Sequence, residues 1–158
     1  MIDSLNFARW LHVVGVTVLL GTGSGIAFFM VMAHQTKDAK IVAHVAKIVV
    51  IADFLFTACT VIVQPLTGLW LMSLVGWRMT TPWIAISLIL YVMIGLFWLP
   101  VVWMQIQMRD LAFAASEAGE PLPEEYHRLY RLWFACGFPA FAAVLVIVWL
   151  MIAKPDLL

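Results

Sequence analysis

Long apolar stretches, separated by short polar ones, dominate this chain. Four windows contain no Asp, Glu, Lys or Arg, namely residues 10–33, 54–77, 79–108 and 132–153. Each is longer than the roughly 20 residues that an α-helix needs to cross about 30 Å of hydrocarbon. The sequence lacks the alternation of apolar and polar positions that strands of a membrane barrel require. The pattern therefore predicts an all-α polytopic membrane protein, a four-helix transmembrane bundle forming one domain over residues 1–158.

Prolines and charged residues set the limits of the predicted spans, which are about 7–33, 44–77, 82–108 and 126–153. Pro82 suits a first helical turn. Glu124 and Glu125 suit the start of the last helix, where acidic groups interact favourably with the helix dipole. Pro65 removes one backbone hydrogen bond inside the second span, which predicts a kink there.

Composition supports the same class of protein. Hydrophobic residues make up 65% of the chain, charged residues make up 11%, and the mean hydropathy is +1.02. Soluble domains carry about 25% charged residues. The lipid bilayer is therefore the expected partner, and a formal net charge of zero gives no support for nucleic acid. Cys59 and Cys136 form no C-x-x-C pattern and are expected to be small core residues.

Lysine and arginine residues are distributed unequally between the two ends of the predicted bundle. One end has Lys37, Lys40, Lys47, Arg109, Arg128 and Arg131, whereas the other has Arg9, Arg78 and Lys154. Positively charged loops are retained on the cytoplasmic side. The asymmetry predicts that both termini face outward.

The stretch GTGSG, residues 21–25, contains the glycines of a phosphate-binding loop but lies within an unbroken apolar window. No lysine completes such a loop here. Gly21 and Gly25 are four residues apart and share one helix face, which allows another backbone or a flat ligand to approach closely. Packing against another helix is the favoured interpretation, and it predicts a contact surface.

Two ionisable residues within the spans are candidate site residues, since such groups are costly in a bilayer. His12 can ligate haem iron or form a hydrogen bond to a neighbouring helix. Asp53 can form a structural ion pair with Arg109, Arg128 or Arg131. The alternative for Asp53 is a catalytic role, as a proton relay or a quinone-binding acid.

Three further histidines, His34, His44 and His127, map to the boundary opposite the termini. Their spacing matches no compact metal-ligand motif. Boundary histidines are usually solvated or hydrogen-bonded, and that interpretation is favoured over a metal site.

Several motifs together resemble a known family. They are WLHVVG in the first helix, VMAHQ at its end, PLTGLWLM in the second helix, and RLWFACGFPAF leading to IAKP. They resemble the predicted integral membrane proteins called domain of unknown function 2269, over nearly the whole chain. More distantly, the layout is similar to the bacterial membrane-bound protoporphyrinogen oxidase, a four-helix haem b protein, and to the copper-resistance D membrane domain.

The resemblance to the oxidase implies a haem site. His12 and Gly15 match its H-x-x-G motif, so His12 is expected to be the metal ligand of haem b. Gly15 and Gly23 are expected to make room for the porphyrin. The chain departs from the oxidase pattern where CG stands in place of a polar NE before the proline of CGFP. The resemblance thus assigns one axial ligand and leaves the second unassigned.

The function expected from these features is that of a bacterial inner-membrane haem b protein. It would transfer electrons between a redox partner protein and a quinone or other acceptor, as an oxidoreductase if it is an enzyme, with Asp53 handling protons. The alternative is a non-redox membrane protein, either a transport component for copper or a small solute, or a structural subunit of a complex. The sequence leaves open whether the chain forms a homo-oligomer.

Overall fold

Four long helices account for nearly all of residues 3–155, the part of the chain that the computed structural model describes. In chain order they are α1 (Ser4–Thr36), then α2 (Ala39–Ala52), a π-helical turn (Asp53–Ala58) and α3 (Cys59–Val75) as one continuous helix, then α4 (Pro82–Ala118) and α5 (Glu124–Ala153). Each of the four is long and apolar enough to cross a membrane, and residues 3–155 contain no strand. The predicted all-α membrane architecture is confirmed.

Capping residues make the connections between these helices short. Asp38 is the N-cap of α2, and its carboxylate accepts hydrogen bonds from the backbone N–H groups of Lys40 at 2.8 Å and Ile41 at 3.3 Å. Gly76 ends α3 with φ 81°, and Gly119 ends α4 with φ 68°. Residues with a Cβ atom rarely adopt such angles. Consecutive transmembrane helices are therefore antiparallel neighbours.

The helix from Ala39 to Val75 is irregular at the π-helical turn Asp53–Ala58. The sequence predicted a kink at Pro65, and α3 continues through Pro65 as a helix. A π-helical turn holds more residues than an α-helical turn and so rotates the next helical segment about its axis. In agreement, α2 packs extensively against α4, whereas α3 packs mainly against α1.

The bundle consists of two helix pairs joined by α2. Helix α1 lies along α2, the π turn and α3, and α4 lies along α5. We call the side with the turns at residues 37–38 and 119–123 the loop side, and the opposite side the terminal side. The main hydrophobic core is on the loop side and contains the fully buried Met30, Val42, Met108 and Tyr126. A smaller core of Trp83, Ile84 and Leu150 lies on the terminal side.

The helices extend beyond the predicted spans on the loop side. Helix α4 continues to Ala118, past the predicted limit at 108, and α5 begins at Glu124. Buried residues in the extra turns of α4 include Ala112 and Ala115. The helices continue here because the extra turns still contribute to the core.

Most large apolar side chains of the spans are exposed on the single chain, as expected for residues that face lipid. Cys59 is also exposed, so the expectation that it is a core residue is wrong. Cys136 is half-buried and packs against the loop-side core.

Candidate functional site

His12 lies half-buried on the face of α1 that packs against α3. Its Nδ1 is 2.8 Å from Thr67 Oγ1. The Thr67 hydroxyl also lies 2.9 Å from the carbonyl oxygen of Val63 and 3.1 Å from that of Gln64. A carbonyl can only accept, so when the Thr67 hydrogen is directed to one of these carbonyls, the hydroxyl accepts from the Nδ1–H of His12. In this tautomer the Nε2 atom of His12 carries a free lone pair.

Gln64 fills the space between α1 and α3 beside His12. Its Nε2 donates to the backbone oxygen of His12 at 3.2 Å. Gly15 lies opposite, and a Cβ atom there would be 3.1 Å from the Gln64 side chain. The missing side chain at Gly15 therefore makes room for a glutamine of the same chain. Gly68 also faces the His12 ring, but a Cβ at that position would lie 3.5 Å from Cε1, which is an ordinary van der Waals contact.

The chemistry of His12 suits a metal ligand. A neutral imidazole with one N–H held by a hydrogen bond and the other nitrogen free is the form in which histidine binds metals and haem iron. The residues around His12 therefore fit one axial ligand of a haem. Gly23, the other residue expected to make room for a porphyrin, is exposed on α1, and no atom lies within 4 Å of the position that a Cβ would occupy there.

Asp53, the first residue of the π turn, is only 4% exposed and is surrounded by neutral hydrogen-bond donors. Its Oδ2 accepts from Trp98 Nε1 at 3.2 Å. In the amide orientation that satisfies both of its neighbours, Gln105 donates to the same Oδ2 at 3.2 Å and accepts from Trp133 Nε1 at 3.2 Å. The carboxylate thus accepts from two side chains of α4, and Trp133 of α5 donates to one of them, Gln105.

The expectation of an ion pair between Asp53 and an arginine is wrong. Arg109 pairs with Asp110 at 2.7 Å, and Arg131 pairs with Glu124 at 3.1 Å. Within residues 3–155, no lysine or arginine forms an ion pair with Asp53. Indole and amide N–H groups occupy the positions that were expected for a guanidinium. Asp53 is therefore a buried carboxylate without a counter-charge in the described part of the chain.

His12 and Asp53 do not form one site. Thr67, the partner of His12, follows Asp53 by 14 residues (67 − 53). A helix rises about 1.5 Å per residue, which separates the two positions by about 21 Å along the bundle. His12 lies near the terminal side, and Asp53 lies deeper, close to the loop-side core.

The boundary histidines divide between two environments. His34 stacks on Tyr130 with ring centroids 3.6 Å apart, and its Nδ1 lies 3.3 Å from the Tyr126 hydroxyl. His127 is packed edge-on against His34, whereas His44 is exposed on α2. Among the described residues, no three His, Cys, Asp or Glu side chains lie close enough together to hold a metal ion. The cluster joins α1 to α5, as hydrogen-bonded boundary residues do.

The predicted contact surface on α1 is not used within the single chain. Gly21 is exposed, with no neighbouring atom within 4 Å of a Cβ position, and Gly25 has only Phe29 of its own helix. An open groove of about 350 Å³ runs beside Gly21 and is lined also by Thr22 and Phe56. Within the described part of the chain, no other helix packs against these two glycines.

The most informative site residues were not identified from the sequence. Gln64 and Thr67 belong to a row of polar residues that recur every three or four positions, and this spacing could have indicated a common face. Trp98 and Trp133 carry no such signal, because indole groups are common throughout the spans.

Comparison with known proteins places the chain in a family. Residues 6–155 match the sequence profile of a family described as predicted integral membrane protein (DUF2269). No curated protein and no solved structure gives a significant match. The match covers nearly the whole chain and all four membrane-spanning helices. The chain therefore belongs to the DUF2269 family of predicted integral membrane proteins.

Proposed function

We propose that this protein binds haem b through His12 and transfers electrons between a redox partner and the quinone pool of a bacterial inner membrane. The observation that carries the proposal is the 2.8 Å hydrogen bond between His12 Nδ1 and Thr67 Oγ1. Such a bond fixes the tautomer and orientation of a ligating histidine and raises the basicity of its other nitrogen. Nε2 of His12 is then the atom that holds the iron.

In this proposal the haem supplies a reversible one-electron change, and the polypeptide supplies the ligand and the proton chemistry. Asp53 takes up and releases the proton. The N–H groups of Trp98 and Gln105 stabilise its carboxylate form. No positive charge within residues 3–155 holds Asp53 permanently ionised, so protonation neutralises a buried charge. Its environment supports both protonation states, as a proton carrier requires.

A second candidate function is proton-coupled transport of copper or another small solute. The same uncompensated carboxylate favours it, because ionisable residues inside transporters mark substrate and proton pathways. In that case His12 would only join α1 to α3, and Asp53 would couple solute movement to proton movement.

The absorption spectrum of the purified protein tests the haem proposal. We expect a Soret band and a positive pyridine haemochrome assay for the wild type. His12→Ala should lose both while retaining its helical content by circular dichroism. His34→Ala is the matched control, because it removes a histidine from the opposite end of the same helix and should keep the haem.

Two results would overturn the assignment. Haem retained in His12→Ala and lost in His34→Ala would move the ligand to the loop side. A folded wild-type protein without haem, purified from cells supplied with iron, would exclude the haem proposal and leave the transport and structural alternatives.

A further inference from the structure

A row of buried polar side chains follows the helix from Ala39 to Val75, from Asp53, which meets α4, to Thr67, which meets α1. Its members are each less than 9% exposed and are spaced by four, three, four and three residues: Asp53, Thr57, Thr60, Gln64 and Thr67. We call this row the polar seam. The opposite face of the same helix carries exposed apolar residues such as Leu55, Ile62 and Leu66. The seam thus extends through the interior of the protein from Asp53 to the hydrogen bond between Thr67 and His12.

The hydroxyl groups of the seam differ in their hydrogen bonding. Thr60 donates to the backbone oxygen of Phe56 at 2.6 Å, and Thr67 is bonded to carbonyl groups in the same way. Each of these hydroxyls can still accept a hydrogen bond, since a hydroxyl has two lone pairs. Thr57 Oγ1 is the exception, because it is buried close to the Asp53 carboxylate and makes no hydrogen bond of standard geometry within residues 3–155. A buried hydroxyl without a partner is costly, and an ordered water is the usual remedy.

The spacing of the seam suits single water molecules between its members. Steps of three or four residues correspond to a rise of about 4.5 to 6 Å. One water that makes two hydrogen bonds of about 2.8 Å spans the same distance. At the terminal end, Gln64 reaches both His12 and Thr67, with its Oε1 3.5 Å from the Thr67 hydroxyl. The amide of Gln64 therefore connects the hydroxyl row to His12.

We propose that Thr57 binds a water molecule beside Asp53, and that the polar seam is a hydrated proton path between Asp53 and the terminal side at His12. The inference rests on the proposed role of Asp53 as a proton carrier. It adds that the protons reach Asp53 from the terminal side of the bundle. A proton that enters from the terminal side, beside His12, passes from water to water, each molecule accepting one proton and releasing another. The Asp53 carboxylate becomes a carboxylic acid at the end of the path, and the reverse sequence releases the proton.

Cysteine accessibility to silver ions tests for water in the seam. Silver ions react with thiolates that are in contact with water and not with thiols in lipid. Thr57→Cys and Thr60→Cys are made in a chain that carries Cys59→Ala and Cys136→Ala, so that each has one thiol. The matched control retains native Cys59, which neighbours Thr60 but is exposed on the bundle surface. Each protein is reconstituted in vesicles, exposed to silver nitrate, denatured, and assayed for thiols still able to react with a maleimide.

We expect the seam cysteines to react at least about tenfold faster than Cys59, because ionisation of a thiol requires water. Equal rates at Cys59 and at both seam positions would overturn the proposal. Should Thr57→Cys fail to fold, as judged by circular dichroism, Thr60→Cys decides the question. Reactive seam cysteines in a protein without haem would refute the haem proposal alone. Unreactive seam cysteines in a haem-containing protein would refute the proton path alone.

Discussion

The hydroxyl group of Tyr91 on α4 donates a hydrogen bond to the backbone oxygen of Val61 on α3. Val61 precedes Pro65 by four residues, and proline has no N–H to occupy that oxygen within the helix. A side chain of another helix thus replaces the hydrogen bond that Pro65 removes. This explains why α3 continues through a proline inside the membrane.

Tyr91→Phe should destabilise the protein by about 0.5 to 2 kcal/mol, because it leaves the Val61 carbonyl without a partner. Pro65→Ala restores a backbone N–H at that place. In the Pro65→Ala background, Tyr91→Phe should therefore have little effect. Unfolding measurements on the four proteins of this double-mutant cycle check the coupling. Additive effects of the two substitutions would contradict it.

Asp53→Asn should change the stability by less than about 1 kcal/mol, since it leaves no buried cation unpaired. Removing one partner of a buried ion pair would instead cost about 3 to 5 kcal/mol. Proton-linked activity should fall in the same variant. Asp110→Asn is the control, as it removes an exposed carboxylate that pairs with Arg109. A loss of thermal stability in Asp53→Asn far larger than in Asp110→Asn would show that a charge partner had been missed.

Thr67→Val should lower haem affinity by about 10- to 100-fold, because it removes the acceptor that holds the His12 Nδ1–H. Thr67→Ser keeps the hydroxyl and should preserve the affinity. Haem titrations of the two purified variants, followed at the Soret band, provide the comparison. Equal affinities in both would mean that the Thr67 hydroxyl does not orient His12.

Gly15→Ala should destabilise the protein by about 1 to 2 kcal/mol, since its methyl group would be forced against Gln64. Gly23→Ala is the matched control on the same helix. It meets no neighbouring atom and should be neutral, or stabilising by up to about 1 kcal/mol through helix propensity. Combining Gly15→Ala with Gln64→Ala should relieve the clash. Thermal unfolding in detergent measures all three effects.

A reporter fused after Leu158 should be active only outside the cytoplasm, because lysine and arginine residues are concentrated on the loop side. A second fusion, in the turn at Glu120, should give the opposite result. Periplasmic alkaline phosphatase and cytoplasmic fluorescence are suitable paired reporters. Cytoplasmic activity of the fusion after Leu158 would reverse the orientation.

The number and type of helices could be predicted from the sequence, because the requirement to cross the bilayer fixes length and composition. The partners of Asp53 could not. A guanidinium and an indole N–H can both satisfy a carboxylate, and only the packing of α4 and α5 brings Trp98 and Gln105 to it while Arg131 reaches Glu124 instead.

The contacts of the small-residue motif GTGSG on α1 could not be predicted from the sequence either. Spacing places Gly21 and Gly25 on one face, but it does not say which face meets a neighbouring helix. In the structure Gly15, which lies outside this small-residue motif, makes the close approach to Gln64. The rotation of α1 about its own axis depends on all of the contacts along the helix, and a short motif cannot predict it.

The number of residues in the π-helical turn Asp53–Ala58 determines which side chains of α3 face His12. Deleting one residue from this turn would restore regular α geometry and rotate all of α3 by about 100° about its axis. Gln64 and Thr67 would then leave the face that meets α1, although neither had been substituted. Family members that differ by a single insertion or deletion in this turn should therefore differ in the surroundings of His12, even where every polar residue is identical. Sequence alignments across the turn need to be judged by the position of gaps as well as by residue identity.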